Sequence, residues 1–200
     1  LDLVNNLLGI EFHNTTEVHH MLKVLYEKRD DIIPRKRLSG LKIACYYGCV
    51  LVRPREITDF DDVENPQIMD RLMEKLGAET VGWSFKTECC GASLPITKTE
   101  MVLKLSHRIL SQAKQAGADC IAVACPMCHN NLDAYQKDMK KVYRNDFEMP
   151  VLFFTQLIGL ALSFSAKQMH LNKHFTDPLP MLRDKGLLNE RAGMTGGTHG

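Results

Sequence analysis

The sequence predicts an α/β fold with a mainly parallel β-sheet flanked by helices and a cysteine cluster at the carboxyl ends of the strands. Three observations carry this. From residue 41 onward, short apolar runs alternate with amphipathic stretches of helical period, the pattern of βαβ units. The run Cys120-Ile-Ala-Val-Ala124 is apolar throughout, as a strand covered on both faces must be. Cysteines recur just after the first three strand-like runs, beyond the carboxyl ends where open α/β sheets gather functional groups.

In chain order, a helix capped by Thr16 is expected first, with Val18, Met21, Leu22 and Leu25 as its apolar stripe. A charged link over residues 28–37 closes on Ser39-Gly40. Residues 41–45 read as the first strand. Asn65-Pro66 marks a helix start, Asn as cap and Pro at the first helical position. Ile68, Met69, Leu72, Met73 and Leu76 line its inner face, and Gly77 ends it. Residues 79–83 form the second strand. Thr97 with Glu100 makes a capping-box pattern for a long helix carrying Met101, Leu105, Ile109 and Ala113 and stopping at Gly117. The third strand is residues 120–124. Pro126 opens another helix, with Cys128, Leu132, Tyr135, Met139 and Val142 on one side. Residues 151–154 are the fourth strand, followed by a helix capped at Thr155. Residues 189–200 hold four glycines and little apolar content, and are expected to be a disordered tail. The division expected is an N-terminal helical segment over residues 1–38, a cysteine-bearing domain over 39–188 and the tail.

Composition narrows the function. Of 200 residues, 44% are hydrophobic and 24% charged, which suits an ordinary soluble globular protein. A net charge of +1 gives no electrostatic reason to expect nucleic acid or an anionic membrane surface as partner. The most apolar run, residues 151–166, contains Thr155, Gln156, Ser163 and Ser165 and falls short of the roughly 20 apolar residues of a membrane span. All seven cysteines lie between Cys45 and Cys128. An odd number argues against a closed disulfide framework, and no secretory signal precedes them, so a cytoplasmic, reducing setting with metal or redox chemistry is expected.

The spacing is Cys49, 39 residues, Cys89-Cys90-Gly91, then 34 residues from Gly91 to Cys125-Pro-Met-Cys128. Three segments should therefore deliver five thiols to one edge of the sheet. The CxxC pair sits at a helix N-terminus, where thiolate is favoured over thiol. Soft thiolates in this pattern suit an iron–sulfur cluster. A four-cysteine zinc site leaves one thiol over, and core cysteines or a simple dithiol switch form the bland alternative. Cys45 and Cys120 read as core.

This arrangement resembles the CCG motif of the heterodisulfide reductase B subunit and its relatives. The resemblance extends to Tyr46-Tyr47-Gly48-Cys49, Leu51-Val-Arg-Pro54, Phe60-Asp-Asp62, Asn65-Pro66, Lys86-Thr87, Cys89-Cys90-Gly91-Ala92-Ser93-Leu94, Asn131-Leu132-Asp133 and Phe154-Thr-Gln-Leu157, and covers about residues 1–188. It implies the C-terminal part of such a protein, carrying its second CCG domain, with the first missing. It further implies a noncubane [4Fe-4S] cluster held by Cys49, Cys89, Cys90, Cys125 and Cys128, with zinc as a possible substitute. The implied chemistry is reduction of a disulfide, CoM-S-S-CoB or a related one, by one-electron steps. The implied partners are the iron–sulfur C subunit and the flavin A subunit of a heterodisulfide reductase-like complex, with small thiols or disulfides. The alternative is a zinc-binding or electron-transfer CCG module without catalysis of its own. His129 departs from the family's pattern, which has glutamine there, and is a candidate for proton supply or cluster tuning. The other histidines, His20 and His174 among them, are expected on the solvated surface. Lys86 and Arg53 flank the cysteine loops and are candidates to offset thiolate charge.

Overall fold

The structure, a computed structural model, describes residues 2–13, 15–144 and 148–188; the expected disordered tail, residues 189–200, lies outside the described residues. Four strands, β1 (Lys42–Tyr46), β2 (Glu79–Thr80), β3 (Cys120–Val123) and β4 (Val151–Phe153), form one all-parallel sheet in the order β2-β1-β3-β4. Ile43 pairs with Cys120 and Tyr46 with Val123, so β1 and β3 run side by side to the same end. Side chains alternate across β1: Ile43, Cys45 and, just beyond it, Tyr47 join one core, whereas Ala44 and Tyr46 join the other.

Helices cover both faces. The helices are α1 (Asp2–Leu8), α2 (Met21–Glu27), α3 (Arg55–Thr58), α4 (Ile68–Lys75), α5 (Thr99–Gln115), α6 (Pro126–Asp133), α7 (Gln136–Tyr143), α8 (Phe154–Ala161) and α9 (Leu179–Asp184), of which α1 and α3 bury no residue. Leu22 of α2, Met69, Leu72 and Met73 of α4 and Leu157 of α8 pack with Cys45 and Ala122 on one side. Ile109, Leu110 and Ala113 of α5, Leu132 of α6 and Met139 of α7 pack with Ile121 and Val123 on the other. Leu22 and Leu38 are buried in the first core, and Leu38 N donates to Leu76 O at 2.9 Å.

Several helix starts differ from the expectation, and at α2, α4 and α8 a side chain not foreseen there takes up the first backbone N–H groups. The helix expected from Thr16 begins at Met21, where His20 Nδ1 accepts from Leu22 N at 3.1 Å; Val18, expected on its apolar stripe, is 90% exposed. The start expected at Asn65-Pro66 moves to Ile68, because Asp61 Oδ2 accepts from both Gln67 N and Ile68 N, at 2.6 and 2.7 Å. The Thr97–Glu100 box does not form; α5 begins at Thr99, and its buried face is Val102, Ser106, Ile109, Leu110 and Ala113. On α8 the cap is Gln156, whose Oε1 accepts from Phe153 N at 2.9 Å, while Thr155 stays exposed. The single helix expected after Pro126 breaks between α6 and α7. There Gln136 Nε2 donates to Leu132 O and Met149 O, and its Oε1 accepts from Met149 N. Strand β2 is two residues long rather than five, the chain leaving the sheet at Gly82 towards the Cys89-Cys90 loop.

A candidate metal–thiolate site at the sheet edge

The connection from β1 leads to β2 on one side, and the next connection returns to β3 on the other. Strands β1 and β3 therefore flank the point where the winding reverses, and their carboxyl ends diverge into a crevice suited to a ligand. Cys49 follows β1, Cys89 and Cys90 lie in the loop after β2, Cys125 caps α6 after β3, and Cys128 lies one turn into α6.

The five thiols meet there. Cys90 Sγ lies 3.5 Å from Cys128 Sγ. Side-chain contacts with Cys128 hold Cys90 down at about 6 and Cys125 at about 5, while the same two contacts drive the Cys128 thiol up. Cys49 is pushed up by burial and then by neighbouring Cys89. Tyr46 joins the two halves: burial, followed by the charges of Cys128, Cys90, Cys89 and Cys49, raises its hydroxyl far above the usual range, and that hydroxyl donates to Glu88 O at 2.6 Å. Cys89 is the exposed member and Cys90 and Cys128 are buried. Cys45 and Cys120 lie in the core, with thiols that burial pushes up.

The loops are fastened to one another by ordinary hydrogen bonds. Asn131 Nδ2, on α6, donates to Cys90 O at 3.3 Å and Ala92 O at 3.1 Å. Ser106 Oγ, on α5, also donates to Cys90 O. Two glycines let the backbone pass. Gly48 has φ +70, and a Cβ there would lie 3.0 Å from Cys128 Sγ. Gly91 has φ +89, and a Cβ there would lie 3.0 Å from Val102. An L side chain at either position meets both backbone strain and a neighbour.

Soft thiolates delivered by three loops to one edge of the sheet are a donor set for a metal ion or an iron–sulfur group.

The cations do not serve the thiolates as expected. Lys86 is buried, and its Nζ donates to Asp70 Oδ1 at 2.8 Å and Pro66 O at 3.1 Å. Burial pushes the Asp70 carboxyl up, against the opposing hydrogen bonds from Lys86 and Tyr47. Arg53 pairs with Glu64 at 2.8 Å. A positive side chain near cysteines seeks the nearest carboxylate, and both found one.

His129 and His174, with Asp133, form a group whose donor atoms lie within 4.8 Å of one another. His129 Nε2 lies 3.1 Å from Val151 O and 3.3 Å from His174 Nδ1, and its ring stacks on Phe153. Gln156 settles the tautomer of His174. Its Oε1 is taken by Phe153 N and its Nε2 by Met169 O, so the second Nε2 hydrogen points at His174 Nε2, 2.9 Å away, and His174 carries its proton on Nδ1. In this structure the group is joined by hydrogen bonds as a pin, and its three donor atoms are close enough to hold a metal ion. Burial lowers both histidines. Asp133 completes the pin by accepting from Phe175 N and Thr176 N. His174, expected at the surface, is buried, its side chain 3% exposed; His20 is part-buried at the cap of α2. Neither burial has a local signal, since both depend on segments distant in sequence.

Residues 43–133 match the CCG cysteine-rich domain model. Over that cysteine-bearing stretch the chain is similar to the CCG-domain family. It is 34% identical over 181 residues, 88% of its length, to the B subunit of ferredoxin:CoB-CoM heterodisulfide reductase from Methanosarcina mazei, covering 60% of that protein. It is 32% identical over 181 residues, again 88% of its length, to the 8-methylmenaquinol:fumarate reductase membrane anchor subunit of Wolinella succinogenes, covering 64% of it. The chain thus spans about three fifths of these relatives. A Helicobacter pylori protein described as hypothetical shares the fold, with a TM-score of 0.63 at 13% identity over 88% of this chain and 32% of that one. Among the described residues no helix is long and apolar enough to cross a membrane.

Proposed function

We propose that the chain is the C-terminal, second CCG domain of a protein like the heterodisulfide reductase B subunit. In this reading Cys49, Cys89, Cys90, Cys125 and Cys128 hold a noncubane [4Fe-4S] cluster, which supplies single electrons when bound. Cleaving a disulfide consumes two electrons and two protons, RSSR′ + 2e⁻ + 2H⁺ giving RSH and R′SH. Iron–sulfur and flavin partner proteins, of the C and A kind, would form the electron route, with the assembly in a reducing cytoplasm. The observation that carries this is the convergence of five thiols from three loops at the β1/β3 crevice. The chain's own residues do the positioning: Tyr46 ties the first loop to the second through Glu88 O, and Asn131 ties the second to α6.

A second reading has one observation in its favour. The Wolinella relative belongs to a fumarate reductase, at an identity close to that of the heterodisulfide reductase relatives. The chain would then be an electron-transfer module that touches no disulfide. Anaerobic redox titration with a low-potential dye, followed by disulfide turnover, tests both. The first reading predicts one electron per chain, no steady-state cleavage by this chain alone, and cleavage once the first domain is supplied. Absence of cleavage by the longer protein would favour the module.

A further inference from the structure

Beneath the cysteine edge lies a closed ring of contacts. Lys86 O accepts from Tyr47 N at 2.8 Å and Gly48 N at 3.1 Å, so the loop after β1 is bonded to the turn leading to Cys89. Lys86 Nζ turns back to Asp70 Oδ1 at 2.8 Å, and Tyr47 Oη donates to Asp70 Oδ2 at 2.7 Å. The same Tyr47 hydroxyl accepts from Met69 N at 2.7 Å, in the first turn of α4. Lys86, Asp70 and Tyr47 are all buried. The ring is charge-neutral and runs from one cysteine loop, through α4, to the next.

We propose that Tyr47, Asp70 and Lys86 are positioning residues whose ring fixes the separation of Cys49 from Cys89-Cys90 and so sets how tightly the thiolate site grips metal. Cys49 is two residues from Tyr47 and Cys89 three from Lys86, so neither sulfur moves far while the ring is closed. Without it, the loops must be ordered when metal arrives, and binding weakens by that ordering. The proposal rests on reading the thiols as a metal site, and not on the cluster type or on any disulfide.

Anaerobic Co²⁺ titration of the full chain, with thiols reduced, tests it through the sulfur-to-cobalt absorption. The double variant Asp70→Asn/Lys86→Met removes both charges together, which buried pairs tolerate far better than loss of one partner. The expected result is an unfolding midpoint near the wild type's with cobalt affinity lower by about tenfold, equivalent to about 1.4 kcal/mol. Tyr47→Phe, which removes the bond to Asp70 and the one accepted from Met69 N, should weaken cobalt several-fold and serves alone if the double variant does not fold. Wild-type affinity in a folded double variant, or in Tyr47→Phe, would overturn the proposal and leave the ring a purely structural element. Failure of the wild type itself to bind cobalt through sulfur would instead sink the metal-site reading on which it rests.

Discussion

Replacing Gly48 by alanine should damage the site in a way that Gly117→Ala does not. Both glycines have positive φ, +70 and +81, so alanine at either pays a left-handed backbone penalty of about 1–2 kcal/mol. The surroundings differ. Nothing lies within 4 Å of a Cβ at Gly117, whereas one at Gly48 would stand 3.0 Å from Cys128 Sγ and 3.7 Å from the Tyr46 ring. Cys128 is already 3.5 Å from Cys90, so it cannot yield without disturbing that pair. Overpacking of this kind adds about 1–3 kcal/mol. Urea unfolding should show Gly117→Ala losing about 1–2 kcal/mol and Gly48→Ala about 2–5. Anaerobic metal uptake should be unchanged in the first and reduced in the second. Equal losses of stability, with equal metal uptake, would refute the claim that Gly48 is there to admit Cys128.

Other outcomes follow from the same contacts. Asn131→Ala leaves Ala92 O without its donor, while Cys90 O keeps Ser106; denaturant unfolding should show a loss of about 1–3 kcal/mol. Cys45→Ser and Cys120→Ser should leave metal uptake intact, since both thiols are buried in the core; metal analysis showing a loss as severe as for Cys125→Ser would contradict the assignment. In metal-free protein, Cys125 is held at about 5, first by the Cys128 thiol and then by the backbone N–H groups of Cys128 and Met127, against an ordinary 9.0. Its lowered pKa makes thiolate the dominant form above about pH 5, so alkylation mapped by mass spectrometry should rise through that pH and then level off. A rise centred near 9 would show that these contacts are not made.

The sheet and the cysteine edge were legible because both are written in periodicity and spacing. Apolar β3 and the alternating helices need only local pattern, and three cysteine segments following three strands must reach the same edge of a parallel sheet. What escaped was set by partners distant in the chain or by polar groups in the core. Asp61 caps α4 from six residues before its first bonded N–H, and Gln136 splits α6 from α7 by holding Met149. On α5, Ile109 and Ala113 are buried as the period predicts, but in the first turns Val102 and Ser106 take the inner face in place of Met101 and Leu105, Ser106 bonding Cys90 O. Lys86 read as a cation for the cluster since nothing in the sequence places Asp70 beside it.

The most direct measurement is iron and acid-labile sulfide per chain after anaerobic reconstitution, across single serine variants of the cysteines. The five-cysteine assignment predicts about four of each for the wild type and for Cys45→Ser and Cys120→Ser. It predicts marked loss for Cys49, Cys89, Cys90, Cys125 and Cys128. Zinc alone at one per chain, or full iron retained when Cys49 or Cys89 is replaced, would contradict it.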